Sequence, residues 1–189
     1  MIRLALIGGI GSGKTFISKL FGYPVFNADK VVNKIYLKNK NIYLKLKKKL
    51  PDYFIQFPIK KKELIEAILG NKNNIQKISS IVHPTVKKEL NIFLKKNRKK
   101  KIIILDIPLY LEKKLNKKKD IIVFVESKNN ALLKKVKKRK NYNKIIFNRL
   151  KKLQLPLSHK KQKSHFIIRN DYNKHSTRKK VQDIIKKLL

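Results

Sequence analysis

Cysteine and tryptophan are absent from this chain of 189 residues, and methionine occurs once. Without cysteine there is no disulfide framework, no thiolate zinc site and no cysteine nucleophile. Acidic residues are scarce as well, with 11 Asp+Glu against 50 Lys+Arg, a formal net charge of +39. No apolar run approaches the ~18 residues that a membrane-spanning helix needs. The first residues enter a strand-like segment at once, without the layout of a secretory signal. A cytoplasmic protein with no membrane partner is therefore expected. Glycine is rare too. Of the six glycines, four stand at positions 8, 9, 11 and 13.

What is present is 42% hydrophobic residues, enough for a packed core despite the charge. At this length a single domain is expected. The basic excess invites a nucleic-acid reading, because Lys and Arg neutralise phosphates. Its composition argues otherwise. Only six of the basic residues are Arg, and lysine is spread over nearly every segment. Ile, Lys and Asn together make 87 of the 189 residues, and these three share AT-rich codons. Biased coding explains much of the excess. Weak non-specific binding to nucleic acid at low salt is expected, with no specific nucleic-acid partner. The same field attracts small polyanions such as ATP.

The hydrophobic pattern alternates short apolar strands with helices. Ile2 to Ile7, Pro24 to Phe26, Lys101 to Ile107, Ile121 to Val125 and Phe166 to Ile168 read as five strands. Helices are expected at about 14–21, 129–140, 143–153 and 174–188, and throughout 30–97. In the 143–153 helix, Ile146, Leu150 and Leu153 should face inward, and Pro84 suits the first turn of the helix that carries Val86, Leu90 and Leu94. This order predicts an α/β fold with a five-stranded parallel sheet flanked by helices. The stretch 39–97 reads as a helical insertion into a core of about 1–38 and 98–189, placed to form a second wall of a cleft.

Gly8-Gly9-Ile10-Gly11-Ser12-Gly13-Lys14-Thr15 matches the phosphate-binding pattern G-x-x-x-x-G-K-[ST]. Glycines let successive backbone N–H groups turn toward phosphate oxygens, and the helix that follows adds its positive end. Residues 9–15 are thus candidate ATP contacts. Lys14 would reach the β- and γ-phosphates, and the Thr15 hydroxyl would ligate Mg²⁺. At average residue usage a chance match in this chain is on the order of 1%. The apolar strand before it and the helix pattern after it place it in a P-loop NTPase fold. A GTPase would show N-K-x-D for guanine; Asn116-Lys117-Lys118-Lys119-Asp120 has one residue too many and precedes a strand.

Eleven acids make a short list of candidates. Asp29 lies just past the second strand, where ligands of open α/β sheets bind; it is either a group that orients a substrate hydroxyl or a helix cap. Asp106 ends the most apolar strand, the place of a carboxylate that holds Mg²⁺. A helix cap or a structural ion pair is the alternative there. His159, His165 and His175 show no ligand spacing, so no metal beyond Mg²⁺ carried with ATP is expected.

Several motifs then occur in a fixed order. L-I-G-G-I-G-S-G-K-T is followed by Asn27-Ala28-Asp29, His83-Pro84, Asp106-Ile107-Pro108-Leu109-Tyr110-Leu111-Glu112 and Arg139. Gln154-Leu155-Pro156-Leu157, Lys160 and Ile168-Arg169-Asn170 complete the series. Together they resemble the dephospho-CoA kinase family over nearly the full length. The resemblance implies transfer of the ATP γ-phosphate to the ribose 3′-hydroxyl of dephospho-CoA, with the helical stretch 39–97 on the substrate side and a lid over about 135–163. It implies that Asp29 orients the hydroxyl, that Arg139 bridges γ-phosphate oxygens, and that Asn170 lies near the adenine. His83, Asp106 and Glu112 fall on the substrate side, and Arg149 is a second candidate for the task of Arg139. The chain departs from the family pattern at Asn27, where the family has Asp, at Ser164-His165 and at Arg169. Another nucleoside or nucleotide kinase is the alternative within the class, and a nucleic-acid-binding P-loop ATPase outside it.

Overall fold

The computed structural model describes residues 1–127, 136–137 and 142–189. They form two compact units. The first comprises Met1–Asn27, Asn97–Tyr142 and Leu150–Leu189; the second comprises Ala28–Lys96 and Asn143–Arg149.

The first unit is built on five strands: β1 (Ile2–Gly8), β2 (Val25–Asn27), β3 (Ile102–Asp106), β4 (Ile121–Glu126) and β5 (Phe166–Arg169). Their order is β2-β3-β1-β4-β5, and every pairing is parallel. The expected α/β sheet is therefore present. Each residue of β3 is buried, as a strand covered on both faces requires. On one face Leu4, Leu6, Ile102, Ile104, Val123, Val125 and Ile168 meet α1 (Lys14–Leu20) and the terminal helix, through Ile17, Phe21, Val181 and Ile184. The strand residues in that set alternate, which is the period-two signature of one sheet face.

The second unit is helical: α2 (Ala28–Lys38), α3 (Lys40–Lys49), α4 (Lys61–Gly70) and α5 (Asn74–Lys96). Its own core joins Ile35, Ile42, Leu46, Phe54, Ala67, Ile78 and Val82. Two features correct the sequence reading. First, the helices are interrupted over 51–60, where Pro51 and Pro58 remove backbone donors. Glu63 replaces the missing helical order: its carboxylate accepts from the N–H groups of Ile55 (3.0 Å) and Lys60 (2.7 Å). Second, Pro84 lies inside α5 rather than in a first turn. Proline there only forfeits the N–H that would bond the Ser80 carbonyl, and packing of Ile78, Val82 and Leu90 holds the helix through it.

The remaining helices are α6 (Lys144–Lys152), α7 (Leu157–Gln162) and α8 (Lys174–Leu188). The sequence reading has no separate α7, because six residues carry too little periodicity. In α6, Leu150 is 39% exposed instead of inward, and no residue of the helix is buried. Ile146 and Phe147 of the same helix are half-buried. Of the expected 129–140 helix only Val136 and Lys137 are described; both are helical, and Val136 is buried. Arg139 lies outside the described residues.

Candidate active site

The loop between β1 and α1 lies at the carboxyl end of the sheet, where open α/β sheets bind their ligands. Its glycines are there for conformation and for close approach. Gly8, Gly11 and Gly13 have φ of 147°, 87° and 94°, values that residues with a side chain rarely adopt. A Cβ at Gly8 would stand 2.6 Å from the Val125 carbonyl oxygen. One at Gly13 would collide with the Asn170 amide. Gly13 is also the residue before α1, so the loop ends at a helix N-terminus.

Lys14 is 8% exposed. Its ammonium folds back on the loop and donates to the carbonyls of Gly9 (2.8 Å) and Gly8 (3.2 Å) and to Ser12 Oγ (3.4 Å). These are weak neutral acceptors for a cation, so a polyphosphate offers the ammonium stronger, charge-assisted partners at the same place.

Next to Lys14, three elements bring polar groups to one point. Thr15 Oγ1 donates to Asp106 Oδ2 at 2.7 Å, and Asn27 Nδ2 donates to the same oxygen at 2.5 Å. Sheet register explains the meeting: Asn27 of β2 and Leu6 of β1 are both paired with Asp106 of β3. Asp106 is 2% exposed, so its carboxylate relies on these donors for the hydrogen bonds that water would supply. The role of Asn27 is absent from the sequence reading, which treats it only as a departure from a motif. A threonine hydroxyl and a carboxylate are hard oxygen donors of the kind divalent magnesium prefers. Among the described residues, no group of three or more His, Cys, Asp and Glu could hold a metal on its own.

Asp29 belongs to the helical unit. It is exposed in the first turn of α2, which begins at Ala28, so it stands inside the helix and not at its cap. His83 is half-buried in α5, beyond the midpoint of any first turn. Arg149 is occupied within that unit: its guanidinium donates to the carbonyls of Ile68 and Leu69, the latter at 3.3 Å. It thereby covers orphan carbonyls at the C-terminus of α4, where a cation is also favoured by the helix dipole. Its expected task toward phosphate is not what these bonds report on.

Glu112 is engaged with protein groups. Its carboxylate forms an ion pair of 2.6 Å with Lys160, which is fully buried in α7. Glu112 Oε1 also accepts from the Leu155 N–H at 3.0 Å, while Oε2 has no hydrogen-bond partner among the described residues. This pair ties α7 to the segment after β3. Asn170 likewise turns toward protein: its amide nitrogen donates to the Ser12 carbonyl at 2.8 Å.

This geometry can be set beside known proteins. The family model for dephospho-CoA kinase matches residues 2–176. The chain belongs to the dephospho-CoA kinase family. A dephospho-CoA kinase of Wolbachia sp. subsp. Brugia malayi is 33% identical over 190 residues, covering 98% of this chain and 97% of the relative. One from Zymomonas mobilis is 32% identical over 176 residues, covering 92% and 89%. Solved structures agree on the fold. A Thermus thermophilus protein superposes with a TM-score of 0.81 at 20% identity, covering 100% of this chain and 97% of that one. A dephospho-CoA kinase from Campylobacter jejuni gives 0.63 at 19% identity, covering 98% and 96%. As a member of this family the chain is an ATP-dependent phosphotransferase of the P-loop class. No helix among the described residues is long and apolar enough to cross a membrane.

Proposed function

We propose that residues 8–15, Asp106 and Asp29 divide the work of phosphorylating dephospho-CoA at its ribose 3′-hydroxyl, giving coenzyme A and ADP. The meeting of Thr15 and Asp106 at the carboxyl end of the sheet, beside the glycine loop, is the observation that supports this assignment most directly.

Phosphoryl transfer asks little covalent chemistry of a protein and much positioning and charge stabilisation. The N–H groups of the loop and the N-terminus of α1 bind the phosphate oxygens of ATP. Lys14 exchanges its carbonyl partners for the β- and γ-phosphates, and so neutralises charge on the group in transit. Magnesium bound with ATP would be held by Thr15 and Asp106, and it would neutralise phosphate charge there. With its proton committed to Asp106, the Thr15 hydroxyl keeps a lone pair for the cation. Asn27 holds the Asp106 carboxylate from the other side.

Asp29, two residues beyond Asn27 in the chain, accepts the proton of the 3′-hydroxyl and aims its oxygen at the γ-phosphorus. Arg139 bridges γ-phosphate oxygens as charge spreads over them. His83 contributes to binding the acceptor, as the family resemblance implies. Glu112 serves indirectly, by fixing α7 through Lys160.

The test is an acceptor panel with purified protein, ATP and magnesium. ADP should appear with dephospho-CoA and only in traces with adenosine, AMP, shikimate or nucleic acid. Asp29→Asn should depress kcat by about a hundredfold or more while ATP affinity stays within about twofold, the pattern of a group that acts on the acceptor. An unchanged kcat would leave Asp29 a surface acid of α2.

A further inference from the structure

After β5 the chain folds back over the phosphate loop. Asn170 is 4% exposed, and both ends of its amide are used. Nδ2 donates to the Ser12 carbonyl at 2.8 Å, and Oδ1 accepts from the Tyr172 N–H at 3.0 Å. Tyr172 has φ of 63°, an unusual conformation for a residue with a side chain, and its hydroxyl donates to the Gly11 carbonyl at 3.3 Å. Two consecutive peptide units of the loop, 11–12 and 12–13, therefore have their carbonyls bound from outside the loop. The contact is close enough that only glycine fits at position 13, where a Cβ would strike the Asn170 amide.

In a trans peptide the N–H points away from the carbonyl. Binding the Gly11 and Ser12 carbonyls to this segment turns the N–H groups of Ser12 and Gly13 to the opposite side. The Ser12 N–H closes on the Gly9 carbonyl at 3.2 Å, within the loop. We infer that Asn170 and Tyr172 are positioning residues: they strap the loop from outside, keep the Ser12 N–H closed on Gly9, and turn the Gly13 N–H to the side where phosphate binds. This assigns Asn170 to the phosphates through the loop, and not to recognition of the base. The inference rests on the reading of residues 8–15 as the phosphate site.

Two ligands separate these roles, inorganic triphosphate and adenosine, each titrated in moderate salt against a bound fluorescent ATP analogue. Asn170→Asp keeps the size and the acceptor for the Tyr172 N–H but sets a carboxylate against the Ser12 carbonyl. It should weaken inorganic triphosphate and ATP about tenfold or more and leave adenosine within about twofold. Tyr172→Phe removes one hydroxyl and keeps the ring, so it folds where a larger change fails. It should weaken triphosphate about two- to fivefold, again without an effect on adenosine. Wild-type affinity for triphosphate in both variants overturns the strap. So does a loss confined to adenosine, which would make Asn170 a base contact. If the unaltered protein fails to compete with triphosphate at all, the phosphate-loop reading itself falls, and that outcome is visible before any variant is made.

Discussion

Thr15 Oγ1 and Asp106 Oδ2 lie 2.7 Å apart although 91 positions separate them in the chain. The bond forms because β1 and β3 are adjacent and in register, so the start of α1 and the end of β3 reach the same level of the sheet. It gives the buried Asp106 carboxylate a donor and gives the Thr15 hydroxyl a fixed direction. Thr15→Val is therefore expected to act twice. Stability should fall by about 1–3 kcal/mol, because a buried carboxylate loses a donor. Turnover should fall far more, by about a hundredfold, and should not recover at high magnesium. Thr15→Ser keeps the hydroxyl and should retain turnover within about threefold. Urea unfolding and steady-state kinetics on the two variants check this. Equal losses in both would detach the hydroxyl from the chemistry.

The Glu112–Lys160 pair makes a separate prediction. Lys160 is fully buried and its carboxylate partner is 9% exposed at the side chain. Removing one member leaves the other charge buried without its counter-ion, at a cost of about 3–5 kcal/mol. Lys160→Met should show a loss of that size in urea unfolding. Lys160→Met combined with Glu112→Leu should recover most of it, since an apolar replacement of both charges is often neutral. Strict additivity of the two single losses would show that the side chains do not interact.

How much of this could be read from the chain alone differs by region. The strand pattern and the glycine loop were plain, because a buried parallel strand and a phosphate loop each demand residue types that few other structures tolerate. Thr15 and Asp106 could be named, since one lies at the start of α1 and the other ends β3 at the mouth of the sheet. Asn27 could not be understood in advance: its amide matters only because the β2–β3 register sets it opposite Asp106. Arg149 is a related case. A cation near a lid motif suggests phosphate, yet the carbonyls of Ile68 and Leu69, about eighty positions away, are what it meets. Glu63 falls between: its bond to the Lys60 N–H is the local mark of a helix start, whereas its bond to the Ile55 N–H depends on how 51–60 folds. Side chains that act within their own segment were legible; those whose partners arrive through tertiary register were not.

Charge gives the third prediction. With 50 basic residues and 11 acidic ones, the folded chain repels itself, and repulsion is relieved by screening. The melting temperature should rise with sodium chloride. It should rise further with ATP at constant ionic strength, because a ligand that binds only the folded state adds stability. Lys14→Ala should keep the salt response and lose most of the ATP response. A melting temperature that is flat in salt would mean that the lysines are too far apart to interact.

Acid should loosen the segment that straps the loop. Asp171 stands between Asn170 and Tyr172, and its carboxylate accepts from the Ser176 hydroxyl at 2.6 Å, with Lys180 at 3.3 Å. The Ser176 bond, then the Asn173 backbone N–H, then Lys180 hold its pKa down from the usual 3.8 to about 2. A carboxyl with a depressed pKa in the folded state contributes stability above its unfolded value. That contribution is complete above about pH 4 and disappears as pH falls from there to about 2, because the unfolded chain takes up the proton first. Asp171→Asn should therefore melt lower than the unaltered protein at neutral pH, and the gap should close on acidification through that window. Glu126, also held low, chiefly by its bond from Lys161, will steepen the acid loss of both proteins alike and leaves the difference intact. Paired thermal melts at neutral pH and down through the window measure the gap directly. A gap that stays constant to the acid end would mean that the Asp171 carboxylate gains nothing from Ser176, and that the segment over the loop is held without it.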